Sequence, residues 1–269
     1  MGSLADEISR CRVPARALRL WWLGQAGFAL KTRASRVIYL DPYLSDAAER
    51  LHGFRRLSLP AIQAEEVRVD LVVLTHEHTD HLDPDSLPVI ARANPGCRFA
   101  APSGCGEGLS QAGVPRGRRI LLRPGQIHEL DGLRVHAVPA DHGDLSPSAL
   151  ALVLETDGVK VFFSGDSSWR PGLFQPLFDL GIDLAVPCIN GVFGNMNHVD
   201  AAMLVRQAAP RFALPCHFWT FAEQGAGDPA GFVHACGQLA PRVKALLLRP
   251  GEGLTIKART PGRPLPTAA

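Results

Sequence analysis

The sequence predicts an α/β protein in which two sheets pack face to face with helices outside. Three observations carry that expectation. Short apolar runs rich in Val, Ile, Leu and Phe alternate with turns punctuated by Gly and Pro, as strands of a buried sheet should. The early runs follow one another nearly unbroken by helices, and helical segments then intervene. One run, Leu71–Leu74, ends directly in a loop dense with ligand-type side chains, Thr75-His-Glu-His-Thr-Asp-His-Leu-Asp83.

Taken in order, the predicted strands begin with Leu18–Leu23, Phe28–Lys31, Val37–Leu40 and Leu71–Leu74. Arg98–Ala101, Arg119–Leu122, Leu133–Val138, Leu150–Glu155 and Val159–Ser164 follow. Asp157-Gly158 between the last two is a two-residue hairpin signal, because both positions tolerate positive φ. Later strands are Leu184–Pro187, Phe212–Leu214, Ala245–Leu248 and Leu254–Ile256. Predicted helices are Asp85–Ala93, Gly104–Ala112, Gly172–Leu180, Asp200–Ala208 and Pro229–Leu239. Asn197 with Asp200 three residues on resembles a capping box opening the fourth. No element is assigned to Met1–Arg12, no internal repeat stands out, and residues 1–269 are expected to form one domain with a frayed tail, Ala258–Ala269, rich in Pro, Thr and Ala;.

The chemistry-bearing residues converge on metal binding. Imidazole nitrogen and carboxylate oxygen are the donors that zinc and similar divalent metals prefer. In an extended segment residues two apart point the same way, so His76 and His78 can grip one ion together. Asp80 and His81 would face a second position if the chain turns there. Three later segments each deliver a polar residue at a strand end: Val138-Pro-Ala-Asp-His142, Val161-Phe-Phe-Ser-Gly-Asp166 and Phe212-Ala-Leu-Pro-Cys-His217. The expected sites are His76, His78 and His142 for one ion and Asp80, His81 and His217 for the other, with Asp166 bridging. Three nitrogens leave an ion open to water or substrate, as in catalytic rather than structural sites. His136 reads as a packed or supporting residue, His52, His128 and His234 as surface residues, and His198 as the opening of a helix.

Composition narrows the setting. The chain has 269 residues, 46% of them hydrophobic and 20% charged, with a formal charge of +2, ordinary for a globular protein with a substantial core. No block of Lys or Arg forms a phosphate-tracking stripe, so a nucleic-acid partner is disfavoured. No stretch has the length of a membrane-spanning helix, and Met1–Arg12 lacks the apolar centre of a secretory signal. Six cysteines are scattered without a Cys-x-x-Cys pair and read as reduced, buried residues of a cytoplasmic protein.

As a set, His-x-His-x-Asp-His after a strand, then a His, an Asp and a final His in order, resembles the metallo-β-lactamase superfamily over nearly the whole chain. The resemblance implies a four-layer αββα sandwich with two metals at one edge between the sheets. Leu20-Trp-Trp-Leu-Gly-Gln-Ala-Gly-Phe28, Asp41-Pro-Tyr-Leu44, Ser164-Gly-Asp-Ser-Ser-Trp169 and the stretch from Met203 to Pro215-Cys-His-Phe-Trp219 look like the L-ascorbate-6-phosphate lactonase group. Flavodiiron oxygen reductases carry a Glu where this chain has His78, and related nucleases bring an extra domain or basic arm. Thiolester hydrolases of the glyoxalase II kind share much the same ligand pattern.

The expected activity is metal-dependent hydrolysis of a small molecule by a metal-activated water, on a sugar-phosphate lactone or related ester, with zinc or manganese and, as a further choice, iron. Asp80 is expected to shuttle a proton as well as to ligate. Asp41, Asp83 and Glu77 are candidates to orient the imidazoles. Trp219, Phe218, Tyr43 and Trp169 are candidates to line the pocket, and Arg170 to meet an anionic substrate. Self-association is consistent with the resemblance. The competing functions are a phosphodiesterase of nucleotides or short nucleic acids, and a non-catalytic metal-binding protein.

Overall fold

The computed structural model describes residues 2–130, 132–222 and 227–259. Alternation in the strands decides how the layers stack. In β1 (Ala17–Gly24), Leu18, Leu20 and Trp22 enter the core between the sheets, while Trp21 and Leu23 face the other way into a second apolar cluster. Side chains two apart share a face, so a strand apolar throughout must be covered on both sides. The first sheet runs β14 (Gly253–Lys257), β1, β2 (Gly27–Lys31), β3 (Val37–Leu40), β4 (Leu71–Val73), β5 (Arg98–Ala101) and β6 (Arg119–Leu121). The second runs β13 (Lys244–Ala245), β12 (Phe212–Ala213), β11 (Leu184–Val186), β10 (Val159–Phe163), β9 (Leu150–Thr156), β8 (Leu133–Pro139) and β7 (Ile127–Leu130).

The two sheets share one pairing plan. From β14 to β3 the neighbours are antiparallel and from β3 to β6 parallel. From β7 to β10 they are antiparallel and from β10 to β13 parallel. Helices cover the outer faces. α3 (Ser86–Ala93) seals the first sheet with Leu87 and Ile90 against Val72 and Phe99. α5 (Gln175–Phe178), α6 (His198–Ala208) and α7 (Pro229–Leu239) pack on the second through Leu177, Leu204 and Phe232. The result is the expected four-layer αββα sandwich, the metallo-β-lactamase fold.

Most predicted elements are present within a residue or two of the expected bounds, and α6 opens on the expected capping box, Asn197 accepting from the Val199 and Asp200 amides. Several differences have local causes. Gly172 sits at φ +83, a turn conformation, so the helix expected from there starts only at Gln175;. The strand expected at Ala245–Leu248 keeps a two-residue ladder, Lys244–Ala245. α1 (Leu4–Arg10), α2 (Ala47–His52), the helical turn α4 (Gly106–Gln111, within the expected Gly104–Ala112) and β7 complete the elements; α1, α2 and β7 were not expected. In α1 the Ser3 hydroxyl caps the Asp6 amide and only Ile8 is fully buried. Ala258 and Arg259 are not frayed: the Ala258 amide donates to the Arg16 carbonyl and Arg259 to the Ile182 carbonyl. The rest of the expected tail lies outside the described residues. All six cysteines are free, five of them buried, and among the described residues no helix is long and apolar enough to cross a membrane.

The layer between the second sheet and its covering helices is tight around Phe162, which is fully buried with its ring 5.4 Å from Phe174 and 5.3 Å from Phe178. Phe162→Ala is expected to cost about 3–5 kcal/mol of unfolding free energy, measured by urea denaturation; a loss under about 1 kcal/mol would mean the site collapses to fill the cavity.

Candidate metal centre

The parallel strands end together at one edge, and each delivers a polar residue there. β4 ends at Val73 and its chain turns through Thr75–His81. β10 ends at Phe163, and Gly165 at φ +58 turns the chain so that Asp166 enters the cluster. A side chain at position 165 is excluded, because its Cβ would lie 2.7 Å from the Leu150 carbonyl oxygen. His142 follows β8, and His217, at φ +61, follows β12. An imidazole held in the left-handed region is strained, and the His217 amide is fixed there by donating to the Gln25 carbonyl at 2.9 Å.

All seven expected ligands meet. The donor atoms of His76, His78, His142 and Asp166 lie within 4.8 Å of one another, as do those of Asp80, His81 and His217. His76 Nε2 is 3.0 Å from His78 Nδ1, and His142 Nε2 is 3.3 Å from the same atom. In the second group His217 Nε2 is 3.2 Å from both Asp80 Oδ2 and Asp166 Oδ1, and His81 Nε2 is 3.2 Å from Asp166 Oδ1. Nitrogen donors bound at about 2.0–2.1 Å around a tetrahedral ion sit about 3.3 Å apart, so the spacing suits a metal. His81 Nε2 and Asp166 Oδ1 are buried and make no hydrogen bond among the described residues. Such atoms are costly unless something else satisfies them, and a divalent ion meets that need.

The surrounding hydrogen bonds aim the donors. Asp41, wholly buried, receives His81 Nδ1 at 2.9 Å, the Thr75 hydroxyl at 2.6 Å and the Thr75 amide at 2.8 Å. His76 Nδ1 lies 3.1 Å from the same hydroxyl, and His78 Nε2 donates to the Leu145 carbonyl at 3.1 Å. Of the three carboxylates expected to orient imidazoles, Asp41 alone does so. Asp83 instead accepts from the amides of Leu44 and Ser45 and the hydroxyl of Ser86, fastening the Asp41–Ser45 turn to α3. Glu77 accepts from the Ser146 hydroxyl.

Two amides escaped the sequence reading. Gln25, 2% exposed, donates from Nε2 to Asp80 Oδ2 at 2.7 Å. Asn195 donates from Nδ2 to Asp166 Oδ2 at 2.7 Å, which turns Oδ1 towards the histidines. Gln25 sits in the Gly-Gln-Ala-Gly turn between β1 and β2, and Asn195 in Gly194-Asn-Met-Asn; an isolated amide carries no ligand signature.

Burial and charge set the proton inventory. Burial disfavours charge on His81 and His217, but Asp166 and the other nearby carboxylates outweigh it, raising His81 well above the ordinary range and His217 to about 9;. Burial likewise opposes charge on Asp80 and Asp166, yet the facing His81 and His217 hold both carboxyls below their usual range. Burial, reinforced by neighbouring imidazoles, lowers His76 and His142. His76 and His142 are thus poised as neutral donors, and Asp80, His81 and His217 as a charge-paired group.

Above the cluster lies a cleft of about 310 Å³. Its apolar wall is Phe54, Phe193, Phe221 and Leu145, with His52 at its side. The aromatic residues expected there lie elsewhere. Tyr43 is buried with its hydroxyl accepting from the Ala48 amide, and Phe218 packs on Trp22 with ring centroids 5.0 Å apart. Trp169 packs, partly buried, against the larger apolar core, and Trp219, at φ +54, turns into a separate groove beside Trp22 and Leu247. Arg170 pairs with Asp141 at 2.6 Å and does not line the cleft. His136 pairs with Glu155 of the neighbouring strand β9, and His52, exposed as expected, bonds to Thr79 and borders the cleft.

Comparison with known proteins agrees with this geometry. Residues 36–218 match the beta-lactamase superfamily domain. A UPF0173 metal-dependent hydrolase of Cupriavidus taiwanensis is 31% identical over 86% of this chain and 84% of its own length. Another, from Caldivirga maquilingensis, is 26% identical over 88% and 97%. Among solved structures, Igni18, a metallo hydrolase of the archaeon Ignicoccus hospitalis, superposes with a TM-score of 0.71 at 24% identity, covering 90% of this chain and all of Igni18. An isothiocyanate hydrolase from Delia radicum gut bacteria gives 0.72 at 20% identity, covering 89% and 100%. Shared fold, a matching domain and relatives of nearly equal length lead to one conclusion: the chain belongs to the UPF0173 metal-dependent hydrolases of the metallo-β-lactamase superfamily.

Proposed function

We propose that the His/Asp cluster is a binuclear hydrolytic centre acting on a small ester, lactone or similar carbonyl compound. His76, His78 and His142 hold one divalent cation and Asp80, His81 and His217 the other, with Asp166 between them; zinc or manganese suits these donors, and iron is a further choice. The observation that carries this is the meeting of two donor groups, each within 4.8 Å, beneath a cleft. When bound, such cations polarise the scissile oxygen and bring the pKa of water towards neutrality. The chain supplies the rest. Asn195 fixes one oxygen of Asp166 and Gln25 one oxygen of Asp80, so neither carboxylate can swing. Asp80 lines the cleft and is placed to take a proton from water and return it to the leaving group;. The Phe and Leu wall limits competing water.

A sugar-phosphate lactone is the finer form of this proposal, supported by the Leu20–Phe28, Asp41–Leu44 and Ser164–Trp169 segments. It would need a cation beside the cleft, and none of the described lining residues is Lys or Arg. The same lack weighs against a phosphodiesterase of nucleotides.

Asp166→Ala and His78→Ala are expected to lose bound metal and abolish turnover while keeping the fold, followed by elemental analysis, a lactone and ester panel, and circular dichroism. Full metal occupancy with unchanged turnover in Asp166→Ala would refute the bridging role. Gln25→Ala and Asn195→Ala should each lower metal affinity or kcat/KM by about 10–100-fold; wild-type values in both would show that the amides are passive. Because His81 and His217 carry protons in the metal-free protein, each must release one to bind an ion. Metal affinity is therefore expected to rise with pH up to about 9, and loading at neutral pH to release about two protons. Calorimetric titration in buffers of different ionisation heat measures the number, and zero release would show that both imidazoles are already neutral before the metal binds.

A further inference from the structure

The wall above the cluster has a chemistry of its own. Phe193 is 52% exposed and Leu145 53%, so both present apolar surface to water at the mouth of the cleft. Phe193 also has φ +55, a conformation in which a bulky residue is strained. It gains no core burial in return. The loop nevertheless holds it firmly: the Gly191 amide donates to the Met196 carbonyl at 2.9 Å and the Asn195 amide to the Val192 carbonyl at 3.0 Å. Strain retained by a tied loop beside a reactive centre points to use at that centre. Across from Phe193, the half-buried Phe54 ring lies 6.1 Å away edge-on and 6.0 Å from Phe221, which Tyr43 backs at 5.5 Å. Rings at such distances touch one another and form a continuous apolar face on which another flat apolar group can pack.

Charge agrees. None of the described lining residues is Lys or Arg, and Glu77 lines the cleft as a further acid. Nearby cations are engaged elsewhere: Arg56 lies 4.7 Å over the Tyr43 ring, Arg50 pairs with Asp85, and Arg170 with Asp141. A phosphate or carboxylate remote from the reacting group would face rings and Glu77 rather than a counter-ion. A cationic substituent would find rings, but would approach the two metal ions of the proposed centre. The volume of about 310 Å³ is at the small end of ligand pockets, about 300–1,000 Å³, too small for a polymer.

Resting on the assignment of the cluster as the hydrolytic centre, we propose that the cleft selects small uncharged substrates bearing an aromatic or similarly flat apolar group, gripped by Phe54, Phe193 and Phe221. Phe193 and Phe54 are then specificity determinants.

The test separates binding from turnover. Metal-loaded protein is titrated, by ligand-observed NMR, with 3-phenylpropanamide, 3-sulfopropanamide and 3-(trimethylammonio)propanamide, which differ only in the terminal group. The corresponding methyl esters are assayed for hydrolysis. The phenyl probe is expected to bind at least about tenfold tighter than either charged one, the scale of an aromatic contact plus its burial. Where the esters turn over, kcat/KM should follow the same order. Phe193→Ala, at a half-exposed site, should bring the binding ratio close to one, and Phe193→Arg should favour the sulfonate; Phe54→Leu is the second variant, with thermal melting as the check on folding. Equal or tighter binding of a charged probe, or an unchanged ratio in folded Phe193→Ala, overturns the proposal. Selective phenyl binding without hydrolysis of any ester would keep the aromatic face and overturn ester hydrolysis as the reaction, so the two failures are distinct.

Discussion

Asp166 sits 4% exposed where the edges of two sheets meet, and a carboxylate taken out of water there must be compensated by nearby positive charge and hydrogen bonds. Asn195 satisfies one of its oxygens, and the other faces His81 and His217. Those imidazoles need partners in turn, found in Asp41 and Asp80. Asp41 also organises Thr75, which contacts His76. Removing one member therefore strands the next, and the cluster is held as a unit. The backbone accepts strain for it, with Asp41 at φ +41 and His217 at φ +61.

The shared pairing plan of the sheets explains why so many polar residues can gather at one rim. In each sheet an antiparallel meander gives way to parallel strands, and parallel strands finish at the same end. Candidate ligands that follow β4, β10 and β12 then gather at one rim without any long loop having to reach across the molecule. β8 contributes His142 from the antiparallel part of the second sheet, and the β1–β2 turn brings Gln25 from the first. The helices take no direct part in ligation; they cover the outer faces and leave the rim free.

Legibility in the sequence followed the range of the interaction. The Thr75–Asp83 cluster is contiguous, and His142, Asp166 and His217 each end a strand, so short-range patterns identify them. The layers were readable because β1, β2 and β9 are apolar at successive positions, which requires cover on both faces. α1 and α2 are seven and six residues long, too short for a helical period to show;. β7 alternates exposed Ile127 with polar residues and exists because it pairs with β8. The cleft wall was not readable at all. Phe54, Phe193 and Phe221 come from three irregular segments that only tertiary packing brings together, while Tyr43 and Phe218, next to motifs in the chain, turn inward. The local backbone decided Trp219: positive φ at residues 217 and 219 sends the imidazole to the cluster and the indole away from it.

Asn195 and Phe193 stand two residues apart on one short loop, one gripping the Asp166 carboxylate and the other at the lip of the cleft. Natural variation at that lip is consequently constrained. On the proposed selectivity, a change of side chain at position 193 would alter which substrates fit in a single step, whereas lengthening or reshaping the loop would also disturb the hold on Asp166. Divergence among such hydrolases would then proceed by exchange of single side chains on a preserved backbone, with the amide anchor inherited intact.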